Sequence, residues 1–560
     1  MKKLGSELKE FLQCKVYVLI LSLVAACSYG FTMVHPSIGM DDTAIPLYFK
    51  EGLAPYVGRW TLYIINKFFR IDDFAPWMVE LVSILLFMLS VTLWCILFRR
   101  ICQWKVTIPT GSYVFVAAIF LSSPIISEIY VFYLHNGICI GYGMTALAVL
   151  SQLNCLSEGC SRKRQIGNLL SAAAFLTLAL GCYESFVVVY ACGVIMSFFL
   201  IRVLYGKKET GAPYRSKAFS WIVTCAVTGG LSLAFRGIVL AIVKAVFGLD
   251  KFAVMNVAYR SLFSGLFQDS SEMIMELKRF FMKFYVNAFV YIPIAVLVVS
   301  FVGIGFYSLY KGIRQKDIFL PLCSGAMVIL PVIMCMIEGI ATRYRTGQYI
   351  PLVGAFAVML LLIELHGNKL PKVLPVICYG ALGILLYNQC QDMNRWFYLD
   401  YLKYEDAKAV MKQVAYDLEK DYDTTKPIVF RGAYRVPYEI TQDAYCSFSS
   451  KQYQWICRVS DLIDPHLKEK YFAENGRGYI FAETPIVSTL QWGVTAFDGT
   501  AGQLEKFWSM HGHSFVCERD LDKIEEAEEI RNEVQMPGYP MEGYILECEE
   551  YIIVNLESAQ

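Results

Sequence analysis

"KVYVLILSLVAACSYGFTMVHPSIGMDD", residues 15–42, decides the class of fold. The chain is apolar from Val16 to Val34, which is long enough to cross a bilayer, and a polar loop with Asp41 and Asp42 follows directly. Similar runs recur along the 560 residues, the mean hydropathy is +0.45, and only 18% of residues are charged. A soluble chain of this length would form several domains with charged surfaces. The sequence therefore predicts a polytopic α-helical membrane protein.

Apolar runs of bilayer length predict about eleven transmembrane helices. They lie at residues 16–34, 77–98, 108–126, 134–153, 166–181, 183–201, 218–235, 286–310, 318–338, 348–366 and 372–389. The least regular are the tight hairpin at 166–201 and the run after 218. That run stays apolar to Phe247 but is interrupted by Arg236 and Lys244.

Lysine and arginine concentrate in every second predicted loop, which sets the expected orientation. They are Lys2, Lys3, Lys9 and Lys15 before the first span, Arg99, Arg100 and Lys105 after the second, Arg162, Lys163 and Arg164 after the fourth, Lys207, Lys208, Arg215 and Lys217 after the sixth, Lys311, Arg314 and Lys316 after the eighth, and Lys369 and Lys372 after the tenth. Loop 127–133 has neither. We expect a cytoplasmic N-terminus and an extracytoplasmic C-terminus in the cytoplasmic membrane.

Two domains are predicted, a membrane domain at 1–389 and an extracytoplasmic domain at 390–560. Segments 43–70 and 250–285 mix aromatic and charged residues, which indicates amphipathic helices at the membrane interface. Residues 390–426 are helix-like, and short strand-like runs follow at 428–430, 479–481, 544–546 and 551–554. The last two runs predict a hairpin, and the tail as a whole predicts a small α/β domain.

Net charge and cysteine content exclude some classes of function. The formal charge of +1 gives no bulk electrostatic basis for binding nucleic acid. Most of the 18 cysteines lie in apolar runs, and no Cys/His group has zinc spacing. Spacing leaves open whether Cys446, Cys457, Cys517 and Cys548 of the polar tail form disulfides.

Asp41 and Asp42 are the first candidates for chemistry. The plain alternative is a solvated helix end or a cap for a helix starting near Thr43. The doublet, however, follows a span directly on the predicted outer face, and Arg59 lies about five helical turns downstream. A carboxylate at a membrane interface is partly desolvated and is therefore a better base. A second doublet, Asp72–Asp73, lacks this setting and is interpreted as a loop.

Other ionisable residues fall at or near membrane depth, where such side chains usually face a cavity or a partner. Glu128 and His135 flank an aromatic run, and the alternatives are an exposed glutamate and a buried structural histidine. Glu184 has almost no polar neighbours in sequence, so we expect it to be neutral, paired or cavity-lining. Arg236 is a further candidate of this kind.

Arg343 and Arg345 precede the tenth span on the predicted outer face. Guanidinium groups bind phosphate through a fork of donors, and the alternative is interfacial contact with lipid headgroups. No Walker loop, dinucleotide fingerprint or serine-hydrolase elbow is present in the sequence, so a cytosolic nucleotide-dependent reaction finds no support.

Four motifs in order resemble the GtrII-type glucosyltransferases, bacterial membrane enzymes of the GT-C architecture. They are "SIGMDD…GLAPYVGRW" (37–60), "SPIISEIYVFYL" (123–134), "GCYESFVVVY" (181–190) and "MPGYPMEGYILECEEYIIVNL" (536–556). The resemblance runs from about residue 16 to the end of the chain. It departs from the family pattern at Glu184, where glutamine is expected after the tyrosine.

The resemblance implies a polyprenyl-phosphate-linked sugar as donor and a cell-surface glycan, or its lipid-linked precursor, as acceptor. Asp41 or Asp42 would occupy the GT-C carboxylate position, and Arg59, Arg343 and Arg345 would hold the donor phosphate. The expected displacement inverts the anomeric carbon. No cofactor is certain, and a divalent metal remains compatible with the class.

Two rival functions use the same features. A transporter or flippase of a lipid-linked glycan would suit intramembrane charges such as Arg236, but the hydropathy shows no inverted repeat. A glycan polymerase would share the topology and transfer an oligosaccharide in place of one sugar. The sequence leaves open the sugar, the acceptor and the linkage.

Overall fold

The computed structural model describes residues 2–39, 42, 58–70, 75–131, 137–206, 213–247, 269–281, 296, 298–339, 347–434 and 499–557. Its helices are α1 Lys2–Gln13, α2 Lys15–Val34, α3 Trp60–Phe69, α4 Pro76–Cys102, α5 Val114–Leu121, α6 Ser127–Tyr130, α7 Cys139–Cys155, α8 Arg162–Leu180, α9 Phe186–Tyr205, α10 Ala218–Phe247, α11 Ser270–Phe281, α12 Ile304–Gln315, α13 Phe319–Glu338, α14 Ile350–Gly367, α15 Val373–Asp421, α16 Gly502–Met510 and α17 Leu521–Glu533. Its strands are β1 Ile428–Arg431, β2 Ile545–Glu547 and β3 Ile552–Asn555. Short 3-10 turns at Thr110–Tyr113 and Pro124–Ile126 flank α5, and a π-helix at Val298–Gly303 precedes α12.

Each predicted span overlaps a helix among the described residues. In the part of the chain that the structure describes, six helices are long and apolar enough to cross a membrane, namely α2, α4, α9, α10, α14 and α15, while the apolar helical segments at 110–121 and 319–333 are shorter. These findings indicate a membrane protein, and the count of eleven spans stays a prediction.

Helix α10 does not end at residue 235 as predicted, because it continues through Arg236 to Phe247. Arg236 forms an ion pair, described below, which explains how this helix accommodates a charged side chain. Of the predicted interfacial segments, α3 and α11 are the described helical parts. Residues 43–57, 250–268 and 282–285 of these segments lie outside the described part of the chain.

One end of the helix bundle gathers the loops that are rich in lysine and arginine. Arg100 Nε donates to Glu7 Oε2 at 2.9 Å, which ties the end of α4 to α1. Arg202 Nε donates to Asp317 Oδ2 at 2.6 Å, and both side chains are buried. We call this end, defined by Glu7, Arg100, Arg202 and Asp317, the basic end.

The remaining basic loops meet at the same end. The Tyr205 hydroxyl donates to the Ile101 carbonyl at 2.9 Å, joining the end of α9 to the end of α4. The Arg215 N–H donates to the Leu156 carbonyl at 2.9 Å, joining the loops after α7 and α9. The alternation of basic and non-basic loops in the sequence therefore corresponds to two opposite ends of the bundle.

Close packing holds the helices together around Trp94, which is fully buried. Its indole N–H donates to the Tyr142 carbonyl at 3.1 Å, and its ring lies over Gly193, where an added Cβ would come within 2.5 Å of Trp94 Cη2. Between helices in a lipid environment such small residues allow the close contact that drives association. Apolar residues on the lipid-facing side stay exposed, as at Leu19.

Helix α15 connects the bundle to the C-terminal part of the chain without a break. It has 49 residues and passes straight through the predicted boundary between 389 and 390. Leu399 and earlier residues of α15 pack in the bundle core, whereas Ala407 to Leu418 pack in a separate core with the C-terminal strands. The change from apolar to polar sequence at 390 therefore does not mark the end of a helix.

The C-terminal strands form one sheet in the order β1-β3-β2, with β1 parallel to β3 and β2 antiparallel to β3. The predicted hairpin of β2 and β3 is confirmed, and the predicted run 479–481 lies outside the described residues. Trp508 centres the core, because its indole N–H donates to the Met411 carbonyl at 3.0 Å and its ring packs on Phe430.

Two of the four tail cysteines fall within the described residues. Cys517 and Cys548 are free thiols, whereas Cys446 and Cys457 lie outside the described residues. Burial raises the pKa of the Cys517 thiol to about 12, so this thiol stays protonated at neutral pH.

Candidate functional site

Asp42 lies in the loop that leaves α2 at the end of the bundle opposite the basic end. The Ser37 hydroxyl donates to the Asp400 carboxylate of α15, which fixes the start of this loop. The Gly39 N–H donates to Asp42 Oδ2 at 2.9 Å, and Asp42 is fully buried. A backbone amide thus orients a carboxylate that is shielded from water.

Gly181 joins two further segments at this same end. Its carbonyl accepts the N–H groups of Thr61 at 3.0 Å and Leu62 at 3.2 Å, which satisfies donors at the first turn of α3. An added Cβ at Gly181 would come within 2.3 Å of Thr61 Oγ1 and 2.7 Å of Trp60 Cε2, so glycine is required for this approach. Arg59, the residue before α3, is thereby brought to the residues that follow Gly181.

Arg59, Glu184 and Arg236 form one charged cluster, which we call the Arg–Glu–Arg cluster. Arg236 Nη2 lies 2.9 Å from Glu184 Oε1, and Arg59 Nε lies 3.7 Å from Glu184 Oε2. The Arg59 guanidinium also lies 4.2 Å above the centre of the Tyr183 ring. Gly58, at φ +76°, leaves room for Arg236, whose Nη2 would be 3.5 Å from an added Cβ.

Counted formally, the cluster combines two guanidinium groups with one carboxylate, an excess of one positive charge. The side chains of Arg59, Glu184 and Arg236 are 11%, 21% and 14% exposed, so the carboxylate is the most accessible member. Guanidinium groups present planar forks of donors that match phosphate and carboxylate oxygens. The arrangement can therefore bind an anion at the end of the bundle that holds Asp42.

A family model described as "Glucosyl transferase GtrII" matches residues 30–362, more than half of the chain. The chain belongs to the GtrII glucosyl transferase family. Membership implies transferase activity on a sugar. None of the curated proteins or solved structures compared with the chain matches it.

The GtrII match contains the candidate site and ends at residue 362, before α15 and the C-terminal strands. Asp42, Arg59, Glu184 and Arg236 all lie within residues 30–362. The motif that ends the chain, 536–556, lies beyond the match, so the GtrII resemblance is shown for residues 30–362 and stays a prediction for the rest of the chain.

Several candidate residues fall where the structure gives no side-chain description. Asp41, His135, Arg343 and Arg345 lie outside the described residues. The Glu128 backbone belongs to the helical turn α6, and its side chain is likewise not described. Their roles stay predictions.

Two features of the site were not identified from the sequence as candidates. Tyr183 stacks on Arg59, and Gly181 receives α3. The break "GCYES" between two apolar runs was a signal for both, since small and polar residues at a helix break often permit a close approach.

Only the resemblance to the GT-C class suggests a divalent metal ion. Within the described ranges no group of three or more His, Cys, Asp or Glu side chains is arranged to hold a metal ion. Asp41, which adjoins Asp42, is not among those residues.

Proposed function

We propose that this GtrII family member transfers a single sugar, glucose or a related hexose or N-acetylhexosamine, from a polyprenyl-phosphate donor to a cell-surface glycan on the outer face of the cytoplasmic membrane. The positive-inside rule supports the placement, because the basic end then faces the cytoplasm and the Asp42 end faces outward. The observation that carries the proposal is the pair of arginines at the end of the bundle that also presents a shielded carboxylate.

In the proposed reaction an acceptor hydroxyl oxygen attacks the anomeric carbon of the donor. A new carbon–oxygen bond forms, the bond between that carbon and the phosphate oxygen breaks, and configuration inverts. The carboxylate of Asp42 or Asp41 takes the hydroxyl proton as general base. The polyprenyl phosphate leaves with the bonding electron pair.

The leaving phosphate gains negative charge as its bond to the sugar breaks. The sequence predicts that this phosphate is held by Arg59, Arg343 and Arg345. We add Arg236, because Arg236 and Arg59 both contact the Glu184 carboxylate. Fixed guanidinium groups in a partly buried site stabilise such charge more than water does. An enzyme embedded in the membrane can meet a donor whose prenyl chain lies in the bilayer.

The rival functions predict different behaviour of the same residues. A transporter or flippase requires no proton transfer from an acceptor hydroxyl, so Asp41 and Asp42 would be dispensable for sugar transfer. A polymerase would use the acids but add an oligosaccharide repeat. The mass added to the acceptor therefore separates the three.

The test is glycan mass spectrometry on cells that lack the gene and are complemented with wild type or the Asp41→Asn plus Asp42→Asn variant. Wild type is expected to add one hexose or one N-acetylhexosamine. The double variant is expected to lose about 10²- to 10⁴-fold in transfer rate, the usual contribution of a general base, at unchanged expression.

The chain offers a matched control in its second acidic doublet. Asp72→Asn plus Asp73→Asn removes the same charge and is expected to leave transfer unchanged. An unaltered glycan in wild-type cells, or full transfer by the Asp41/Asp42 variant, would reject the proposal, and a mass gain of several sugars would favour the polymerase.

A further inference from the structure

The carboxylate of Glu184 occupies the position that an anionic ligand of the two arginines would take. It touches Arg236 at 2.9 Å and Arg59 at 3.7 Å, the two guanidinium groups nearest to it in the described structure. At 21% exposure it is also the member of the cluster that water or a ligand reaches most easily. A phosphate entering the site must therefore compete with this carboxylate for the same donors.

The donor and the product of the proposed reaction differ in charge, so this competition affects their binding differently. The donor is a phosphodiester with one negative charge, and the product polyprenyl phosphate is a monoester with a charge of about −1.5 to −2 at pH 7. Two arginines without a counter-ion would hold the product more tightly than the donor. With Glu184 present, the formal excess of one positive charge matches the donor.

We propose that Glu184 is a positioning residue that competes with polyprenyl phosphate for Arg59 and Arg236 and thereby speeds release of the product. The inference rests on the proposed function. When the phosphate binds, its oxygens accept from the guanidinium groups and the carboxylate withdraws. When the product leaves, the carboxylate returns. Stacking of Arg59 on Tyr183 at 4.2 Å keeps that guanidinium in place during the exchange.

A purely structural role for the cluster makes a different prediction. Removing one partner of a buried ion pair leaves an uncompensated charge and destabilises the fold. A structural Glu184 would therefore, when changed to glutamine, lower stability and weaken every ligand alike. A competing Glu184 would, when changed, strengthen binding of the charged ligand alone.

The experiment measures binding of undecaprenyl phosphate and of undecaprenol, which lacks the phosphate, to the full-length protein in detergent. Glu184→Gln keeps the side-chain shape and removes one negative charge beside both arginines. We expect this variant to bind undecaprenyl phosphate at least about tenfold more tightly, because one repulsive charge close to the phosphate is removed. Its affinity for undecaprenol is expected to stay unchanged. Arg236→Gln is expected to bind the phosphate about tenfold more weakly.

Transfer kinetics give a second readout. Glu184→Gln is expected to lower both KM and kcat, with stronger inhibition by added undecaprenyl phosphate. Glu364→Gln is the matched control, since Glu364 also pairs with a cation, Lys311 at 2.8 Å, but lies near the start of the loop to α15 at the basic end. It removes the same charge and is expected to change neither phosphate affinity nor product inhibition.

If Glu184→Gln binds undecaprenyl phosphate as tightly as wild type or more weakly, the inference is overturned and the proposed function is unaffected. If this variant does not fold, Glu184→Asp keeps the charge but shortens its reach, and phosphate binding tighter than wild type is expected from it. An unchanged or weaker affinity would then overturn the inference. Wild type that binds both ligands equally would instead reject the polyprenyl-phosphate donor, which is a failure of the proposed function.

Discussion

Single residues in this chain show how a buried charge acquires its partner. Sequence alone indicates that Glu184, in apolar surroundings, must be neutral, paired or cavity-lining. It does not identify Arg236, because the two residues are 52 positions apart. Only the packing of α10 against the break after α8 brings them within 2.9 Å. The need for a partner was therefore predictable, and its identity was not.

The Arg202–Asp317 pair at the basic end offers a residue-scale prediction about stability. Both side chains are buried, and Asp317 also accepts the Phe319 N–H at 3.1 Å. Asp317→Asn is expected to lower the free energy of unfolding by about 3–5 kcal/mol, because it leaves Arg202 as an uncompensated buried charge. The measurement is thermal unfolding of the purified protein in detergent.

The control for this prediction is an exposed ion pair. Asp421 lies 3.3 Å from Lys420, and both side chains are more than half exposed. Asp421→Asn is expected to leave thermal unfolding nearly unchanged, because exposed pairs contribute little. Equal effects of the two substitutions would contradict a structural role for the buried pair.

At the scale of elements, the sequence predicts that a helix or strand exists better than it predicts where that element ends. The hairpin of β2 and β3 was visible as two apolar runs around an acidic turn. The continuity of α15 was not, because the sequence changes from apolar to polar at residue 390 while the helix runs on to Asp421. Hydrophobic periodicity reports what a helix faces, and it does not report whether the helix continues.

The contact of α3 with Gly181 gives a prediction at this scale. Gly181→Ala would place a methyl group 2.3 Å from Thr61 Oγ1, so the start of α3 must shift and carry Arg59 with it. We expect sugar transfer to fall about tenfold to 10²-fold, the cost of displacing a group by about 1 Å. The measurement is transfer activity at matched expression.

Helix α8, which ends at Leu180 next to Gly181, provides the control. Gly167 has open space where its Cβ would lie, and alanine is the better helix former. Gly167→Ala is therefore expected to keep full activity. A loss in Gly167→Ala equal to that in Gly181→Ala would show that the effect does not come from the α3 contact.

At the scale of the whole molecule, alternating loop charge predicted that the basic loops share one end of the bundle. The contacts of Arg100 with Glu7 and of Arg215 with Leu156 agree with this. Which side of the membrane that end faces is decided by the bilayer and by the insertion process.

The orientation is tested with reporter fusions. Alkaline phosphatase fused after residue 557 is expected to be active, because this enzyme needs an extracytoplasmic environment. A fluorescent protein fused after residue 206, at the basic end, is expected to be bright, because that end is predicted to be cytoplasmic. The opposite pattern would place Asp42 in the cytosol and would exclude the proposed outer-face reaction.

The unbroken α15 has a consequence for how the two parts of the molecule are coupled. Its 49 residues span about 74 Å, whereas a bilayer core needs about 30 Å. The C-terminal core is therefore joined to the bundle by one continuous helix, and its orientation around the axis of α15 depends on the number of residues between the two cores. One residue inserted between Leu399 and Ala407 would rotate the C-terminal core by about 100° around this axis, whereas four would restore its orientation to within about 40° and shift it by about 6 Å along the axis. The angular phase of this helix, more than its length, determines which face of the C-terminal sheet turns towards the bundle.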